Sequence, residues 1–490
     1  MSPQRGAASA ASEPPHHRYH YLVPLKLFDS HTHESVEFIP LREGHVSMYV
    51  CGPTVQSSPH VGHLRSALVY DLWSRWFSYR GLQVTLVRNV TDIDDKILEA
   101  SAVSGEEWWA LAERIEREFH QVADALHIAH PAREPRATGD ISAMITLVQE
   151  LLDAGHAYVA EGASGDVYFD VSSWPQYGNL TNQKVENLQS PGGGNAKRRP
   201  EDFALWKGHK PSEPDSAAWP APWGAGRPGW HLECTAMATR YLGGAFDIHG
   251  GGMDLRFPHH ENEQAQAHAA GRPYATHWLH NALVLSGGQK MSKSLGNGMP
   301  AADLLRNARA IVLRYALASA HYRSELDLHE GFLQEAATAF GRIESFLLRA
   351  GTDGIDLASE LPGAGVVPAA FATAMDDDLG IPEALAVLHD VVRAGNHAAD
   401  SGLTEPYTDA ARAVRAMVGV LGIDPLDEQW QGEQASPGVL DSLMENLIAL
   451  RATARAEGNF ALSDALRDTV DDSGIDIKDD PSNSTWSIRG

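Results

Sequence analysis

The chain has 490 residues, more than a single hydrophobic core usually supports, so two to four domains are expected. Lysine and arginine total 39 against 64 aspartates and glutamates, a formal net charge of −25. This acidity argues against a nucleic-acid partner unless positive charge is concentrated locally, because phosphate binding needs cations. No apolar run is long enough to span a membrane, and the first residues lack a signal-peptide core. We therefore expect a cytoplasmic protein with no membrane association, whose two cysteines stay reduced.

The first third of the chain predicts a nucleotide-binding βαβ unit. Residues 1–20, rich in Ala, Ser and Pro, predict a disordered tail. Alternating apolar residues predict strands over 25–29, 35–41, 46–50 and 83–90. Between the last two, an amphipathic helix is indicated by apolar side chains at every fourth position, Leu64, Leu68, Leu72 and Trp76. In such a unit, phosphate groups approach the loop that runs into the helix, here at His60.

The remaining sequence predicts further domains. A second α/β stretch contains Cys234 and the segment from Asp247 to Glu263, and an insertion of roughly 123–225 separates it from the first. After residue 297 the pattern becomes helical, and we interpret the acidic run Asp376–Asp378 as the start of a helix or a solvated face. The predicted fold is thus α/β: a Rossmann-type catalytic domain over 21–330, a helical bundle over 331–433 and a small mixed α/β segment over 434–490.

Four residues could form a metal site. Cys51 ends a short apolar strand, and Cys234 follows Gly-Trp-His-Leu-Glu. His259 and Glu263 are four residues apart, so a helix would present both on one face. Two thiolates, one imidazole and one carboxylate make a four-ligand zinc set. On the cysteines alone, the alternative that both are small buried hydrophobic residues stays open.

Two further motifs indicate phosphate chemistry. His60-Val61-Gly62-His63 stands at the start of the predicted helix, where Gly62 lets a nucleotide approach the backbone and the helix N-terminus faces phosphate oxygens. Lys290 and Lys293 lie three residues apart in Lys-Met-Ser-Lys-Ser-Leu-Gly-Asn. Two lysines on such a Ser/Gly-rich loop can offset the negative charge that develops during displacement at phosphorus.

These two motifs, in this order, resemble those of class I aminoacyl-tRNA synthetases. More narrowly, the chain resembles cysteinyl-tRNA synthetases in four other segments: 49–55, 89–96, 229–234 and 247–263. The resemblance implies one zinc ion per chain, held by Cys51, Cys234, His259 and Glu263, that binds the thiolate of the substrate cysteine. A soft thiolate ligates zinc, whereas the neutral hydroxyl of serine does not.

The resemblance also implies a two-step reaction and assigns residues to it. Cysteine and ATP with Mg²⁺ form cysteinyl-adenylate, and the acyl group then passes to the terminal adenosine of cysteine tRNA. His60 and His63 are assigned to phosphate contacts, and Lys290 and Lys293 to transition-state stabilisation, with Lys293 also contacting ATP. The adenosine is expected to contact Gly62, Gly250, Gly251, Gly252 and Asp254, and the amino acid Trp230 and Thr91.

The regions after residue 330 are expected to bind the tRNA, the helical domain its stem and 434–490 its anticodon, in a monomeric enzyme. Two other hypotheses stay open. A paralogous cysteine ligase that acts on an amino-sugar resembles the catalytic half only, whereas this chain continues well beyond it. A non-catalytic, synthetase-like binding protein would not need the intact lysine loop or the metal set.

Overall fold

The computed structural model describes residues 24–162, 164–183, 196–290, 298–357, 367–430, 437–473, 475–479 and 484–488. Its centre is a parallel four-stranded sheet with the strand order β10–β9–β3–β4. The strands of this sheet are β3 (His45–Val50), β4 (Gln83–Arg88), β9 (Ala245–Gly252) and β10 (Tyr274–Asn281). A hairpin, β1 (Lys26–Asp29) and β2 (Glu34–Glu37), precedes it. The parallel sheet confirms the predicted α/β fold.

Helix α1 (Val61–Tyr79) connects β3 to β4 and completes the predicted βαβ unit. The side chain of His60 caps it by accepting a hydrogen bond from the Gly62 amide at 3.1 Å. All four apolar side chains that predicted the helix are buried: Leu64, Leu68, Leu72 and Trp76. The burial of this apolar face stabilises the helix.

The segment between β4 and β9 carries the insertion. Its helices are α2 (Asp95–Ser104), α3 (Trp108–Ala125), α4 (Ile141–Asp153) and α5 (Trp230–Leu242). Its antiparallel sheet contains β5 (Ala157–Val159), β6 (Val167–Phe169), β7 (Phe203–Gly208) and β8 (Gly226–Pro228). Helix α5 packs against both sheets, and it therefore places Cys234 beside the end of β3.

The second half of the chain begins with α6 (Glu261–Ala269) and continues after β10 into a small sheet. That sheet contains β11 (Val284–Ser286), β12 (Gln289–Lys290) and β13 (Leu326–Asp327), with helices α7 (Ala301–Asn307) and α8 (Ala310–Ala318) between them. The helical region is formed by α9 (Phe332–Thr352), α10 (Ala369–Asp376), α11 (Ile381–Asp400) and α12 (Thr404–Leu421). Its apolar side chains share one core with α1 and α8, represented by Leu68, Ile311, Phe340, Leu388 and Val414.

The last described elements are two helices and a hairpin: α13 (Pro437–Ala456), α14 (Phe460–Asp472), β14 (Ile475–Asp479) and β15 (Ser484–Ile488). They match the predicted mixed character of this segment. Among the described helices, none combines the length and apolarity that a membrane crossing requires.

The interpretation of Asp376–Asp378 as the start of a helix or a solvated face is wrong for Asp376 and Asp378, and only Asp377 is exposed. Asp376 ends α10 and is buried, where it accepts a hydrogen bond from the Trp76 indole at 3.1 Å and pairs with Arg80. Asp378, also buried, accepts from the Phe28 amide at 2.8 Å. These contacts join the helical region to α1 and β1, and they connect residues too distant in sequence for a local pattern to show.

Candidate active site and metal centre

A cleft of about 290 Å³ opens at the carboxyl ends of the central strands, beside the N-terminus of α1. This is where open parallel sheets bind ligands. Its lining brings together residues that the sequence assigned separately to metal and nucleotide: Cys51, His60, Gly62, His63, Trp230, Gly252 and Asp254.

The four predicted metal ligands converge on one side of this cleft. The donor atoms of Cys51, Cys234, His259 and Glu263 all lie within 4.8 Å of one another, and all four residues are buried. The two Sγ atoms are 3.6 Å apart, and Glu263 Oε1 lies 3.3 Å from Cys51 Sγ and 3.1 Å from His259 Nε2. Cys51 directly follows β3, Cys234 lies in α5, and His259 lies in the irregular turn before α6.

These donors fit a tetrahedral zinc ion. Zn–S bonds of about 2.3 Å at a tetrahedral angle place two sulfurs about 3.8 Å apart, close to the 3.6 Å found here. His259 Nε2 is buried and makes no hydrogen bond, although it faces the Glu263 carboxylate. A buried nitrogen without a hydrogen bond is unusual, and a metal ion is a reason for it. Burial lowers the pKa of His259 to about 3, so the imidazole is neutral and can ligate.

Side chains behind the four donors hold them in place. The second carboxylate oxygen of Glu263, Oε2, receives a hydrogen bond from the Tyr274 hydroxyl at 2.8 Å and lies 2.9 Å from His249 Nε2. On the other side, His259 Nδ1 lies 2.9 Å from His231 Nδ1. Such outer partners fix the orientation of metal ligands. Sequence reasoning missed Tyr274, His249 and His231 as site residues. His249 and His231 lie within the segments 247–263 and 229–234, but their spacing indicates no role, and Tyr274 lies in none of the quoted motifs.

A second donor set shares half of the first. Cys51 and Glu263 also lie within 4.8 Å of His249 and His260, and all four residues are buried. His260 Nδ1 in turn lies 2.7 Å from His280 Nε2. His260 therefore faces the same region as His259, the residue before it. The Glu261 carboxylate instead accepts from the amides of Gly178 and Thr181.

The start of α1 and the end of β9 form the side of the cleft that the sequence assigns to the nucleotide. The rings of His60 and His63 stack with their centroids 3.9 Å apart, and both line the cleft. Glycine is required in β9, because a Cβ atom at Gly250 would lie 2.3 Å from the Tyr70 ring. At Gly251 it would lie 2.9 Å from the His260 ring. The first two glycines therefore let Tyr70 and His260 pack against the strand, and Gly252 lines the cleft.

The remaining predicted residues lie at different depths. Trp230 lines the cleft and packs on His259 with ring centroids 4.2 Å apart. Thr91 is buried, and its hydroxyl donates to Glu233 at 2.9 Å rather than lining the described cleft. Lys290 ends β12, the second strand of a hairpin, whereas Lys293 lies outside the described residues.

Two family models match the chain. The model for the catalytic domain of class I (C) tRNA synthetases covers residues 37–338, and that for the DALR domain covers 370–425. A cysteine–tRNA ligase of Clavibacter sepedonicus is 56% identical over 96% of this chain and 100% of the relative. One of Leifsonia xyli subsp. xyli is 54% identical over 95% of this chain and 100% of the relative. The chain belongs to the cysteine–tRNA ligases.

Solved structures place this cysteine–tRNA ligase chain in a wider fold group. A Mycobacterium tuberculosis methionyl-tRNA synthetase, in complex with methionyl-adenylate, superposes with a TM-score of 0.55 at 16% identity. The superposition covers 81% of this chain and 93% of that one. At this identity the likeness shows the fold alone. Together with the family model over residues 37–338, it confirms the predicted Rossmann-type catalytic domain.

Proposed function

We propose that this protein joins cysteine to tRNA at the expense of ATP, and that a zinc ion held by Cys51, Cys234, His259 and Glu263 selects the amino acid. Family membership supports the reaction class. The observation that carries the selection mechanism is the convergence of the four donor atoms within 4.8 Å, on the cleft that also contains His60 and His63.

Zinc would supply a soft Lewis acid that favours a thiolate over a neutral hydroxyl. The protein supplies the geometry. Tyr274 and His249 hold one oxygen of Glu263, so the other oxygen stays turned towards the cysteines. Trp230 covers His259 and forms the wall against which a small amino acid would lie. A site whose specific partner is missing in the wrong substrate can discriminate by roughly 10⁴–10⁵, which is enough to reject serine without an editing step.

The other half of the cleft would bind ATP with its Mg²⁺. The N-terminus of α1, with His60 and His63, offers positive potential and N–H donors to the phosphates. The glycines of β9, Gly250–Gly252, and Asp254 would border the adenosine, and of these Gly252 and Asp254 line the cleft. Lys290 and Lys293 would offset the charge that develops when the cysteine carboxylate attacks the α-phosphorus and pyrophosphate leaves. Positioning and charge stabilisation, rather than acid–base catalysis, are the main demands on the protein.

The tRNA would contact the regions after residue 330, with its anticodon near 434–490. The domain limits 21–330 and 331–433 are part of this proposal, as are a monomeric state and a cytoplasmic location. The helical region shares a core with the catalytic domain, which supports a fixed arrangement of the tRNA-binding and catalytic surfaces.

Cysteine-dependent exchange of pyrophosphate into ATP, followed by aminoacylation of tRNA with the cysteine anticodon, tests the proposal. We expect exchange with cysteine, none above background with serine at equal concentration, and charging of the tRNA. Exchange without tRNA charging would favour the amino-sugar ligase. Absence of exchange with zinc-loaded protein would favour the non-catalytic binding protein.

A further inference from the structure

Arg65, on the second turn of α1, binds four backbone carbonyls. Its guanidinium donates to the oxygens of Ala282 at 3.3 Å, Leu283 at 3.1 Å, His321 at 3.1 Å and Ser324 at 2.6 Å. The side chain is 1% exposed. One residue of the helix that begins at His60 is thus tied to two separate chain segments.

The burial of this cation is costly and has no carboxylate to offset it. Among the described residues, none forms an ion pair with Arg65, whereas the other fully buried arginines, Arg227 and Arg314, both pair with aspartate. Burial lowers the pKa of Arg65 to about 10, which still leaves the guanidinium charged at neutral pH. A neutral side chain would avoid this desolvation cost but could not donate to four carbonyls. The four carbonyl contacts are therefore what an arginine provides at this position.

The segments that Arg65 holds carry the other side of the cleft. Ala282 and Leu283 line the cleft and connect β10 to β11, the first strand of the hairpin that ends at Lys290. His321 and Ser324 precede β13, which pairs with β11. The Ala282 amide donates to the Tyr322 carbonyl at 2.8 Å, so the two segments are also bonded to each other. Arg65 therefore connects the His60–His63 turn to the base of the lysine hairpin.

Tyr70, also in α1, makes a similar connection to β9, the strand that contains Gly250–Gly252. Its hydroxyl accepts from the Gly251 amide at 2.6 Å and donates to the Leu279 carbonyl at 2.9 Å. Its ring fills the space that a side chain at Gly250 would occupy. The same helix thereby contacts the ends of both β9 and β10.

We propose that Arg65 is a positioning residue for ATP, because it sets the distance between the His60–His63 turn and the segment that carries Lys290. Tyr70 holds the glycine-containing end of β9 against the same helix. This inference rests on the proposed assignment of those motifs to ATP. It adds two residues of α1 that touch no substrate and act through the backbone they hold.

The test compares Arg65→Lys with Tyr70→Phe. A lysine keeps the charge but cannot reach four carbonyls, and phenylalanine keeps the ring but removes both hydroxyl bonds. Displacement of reacting groups by about 1 Å costs about 10²-fold. We expect kcat/KM for ATP in the exchange reaction to fall about 10²-fold in Arg65→Lys and about tenfold in Tyr70→Phe. The KM for cysteine and the bound zinc per chain should not change.

Arg314→Lys is the matched control. Arg314 is equally buried, donates to the carbonyls of Leu126, His127 and Leu421, and also pairs with Asp71 of α1. None of these five residues lines the cleft. All variants are assayed well below their own unfolding temperatures, so that only folded protein is compared. If Arg65 only stabilised the fold, Arg65→Lys and Arg314→Lys would change kcat/KM for ATP to the same extent. We expect a wild-type kcat/KM for ATP in Arg314→Lys.

The inference is overturned if Arg65→Lys and Tyr70→Phe keep the wild-type value, or if Arg314→Lys loses as much. If Arg65→Lys does not fold, Tyr70→Phe alone decides. Calorimetric titration with a non-hydrolysable ATP analogue separates this inference from the proposed function. Wild-type protein that binds the analogue without any exchange would contradict the function, while weaker binding by the two variants would still support the positioning role.

Discussion

Removal of the Tyr274 hydroxyl should weaken zinc binding without disturbing the fold. Tyr274 is fully buried, packs against Phe246 and His249, and donates one of the two hydrogen bonds that hold Glu263 Oε2. Its φ of 64° is rare for an aromatic residue, and such backbone conformations concentrate where a side chain must be held for function. The change Tyr274→Phe removes the hydroxyl and keeps the ring.

The size of the effect follows from the contacts of the carboxylate. A hydrogen bond to a charged group contributes about 1.5–3 kcal/mol, which corresponds to about 10–100-fold in an equilibrium constant. His249 Nε2, at 2.9 Å, still holds the same oxygen in the variant. We therefore expect the lower end of the range, about tenfold weaker zinc affinity, with a raised KM for cysteine and an unchanged KM for ATP.

Competition with a chromophoric chelator measures the zinc affinity, and pyrophosphate exchange measures the two KM values. Tyr177→Phe is the control, because the Tyr177 hydroxyl is also buried and donates to Asn262, the residue before Glu263 in α6. That variant should bind zinc like the wild type. Equal zinc affinity in the wild type and Tyr274→Phe would refute the reasoning, as would an equal loss in both variants.

Three further predictions concern the metal set, domain docking and pH. Cys234→Ser should lose most of its bound zinc and its cysteine-dependent exchange, as measured by metal analysis and exchange rate; full exchange by metal-free protein would contradict the zinc role. Asp376→Ala should lower the free energy of unfolding by about 3 kcal/mol in urea titrations, because it removes the buried carboxylate that accepts from the Trp76 indole and pairs with Arg80, while the exposed Asp377→Ala should change it by less than about 0.5 kcal/mol. Burial would raise the pKa of Asp71, but the charge of Arg314 lowers it overall below its ordinary 3.8. Because its pKa is depressed, the ionised Asp71 carboxylate stabilises the fold above pH 4, and this contribution is lost as the pH falls below 4. The free energy of unfolding should therefore differ between wild type and Asp71→Asn by about 3 kcal/mol at pH 6 and by less below pH 4, whereas a constant difference would contradict the assignment.

The sequence predicted the elements whose signal is local. The apolar repeat at every fourth residue located α1, and the family motifs located the four donors that converge, because the chain has only two cysteines and both lie in those motifs. It did not predict the roles of Tyr274 and His249, since a hydroxyl or imidazole that holds Glu263 looks like any other residue of a strand. Asp376 was misinterpreted for the same reason: its partners lie about 300 residues away, where no local pattern reports on them.

Helix α1 joins the cleft to the helical region. With 19 residues it is about 28 Å long, and it contacts a different part of the protein at each level. Its first turn carries His60 and His63, Arg65 and Tyr70 hold the strand ends of the cleft, and Trp76 reaches Asp376 of the helical region. Because packed interiors deform little, α1 gives these contacts one common support. The bonds of Arg65 and Tyr70 to the strand ends, and that of Trp76 to Asp376, therefore orient the cleft and the helical region relative to the same helix.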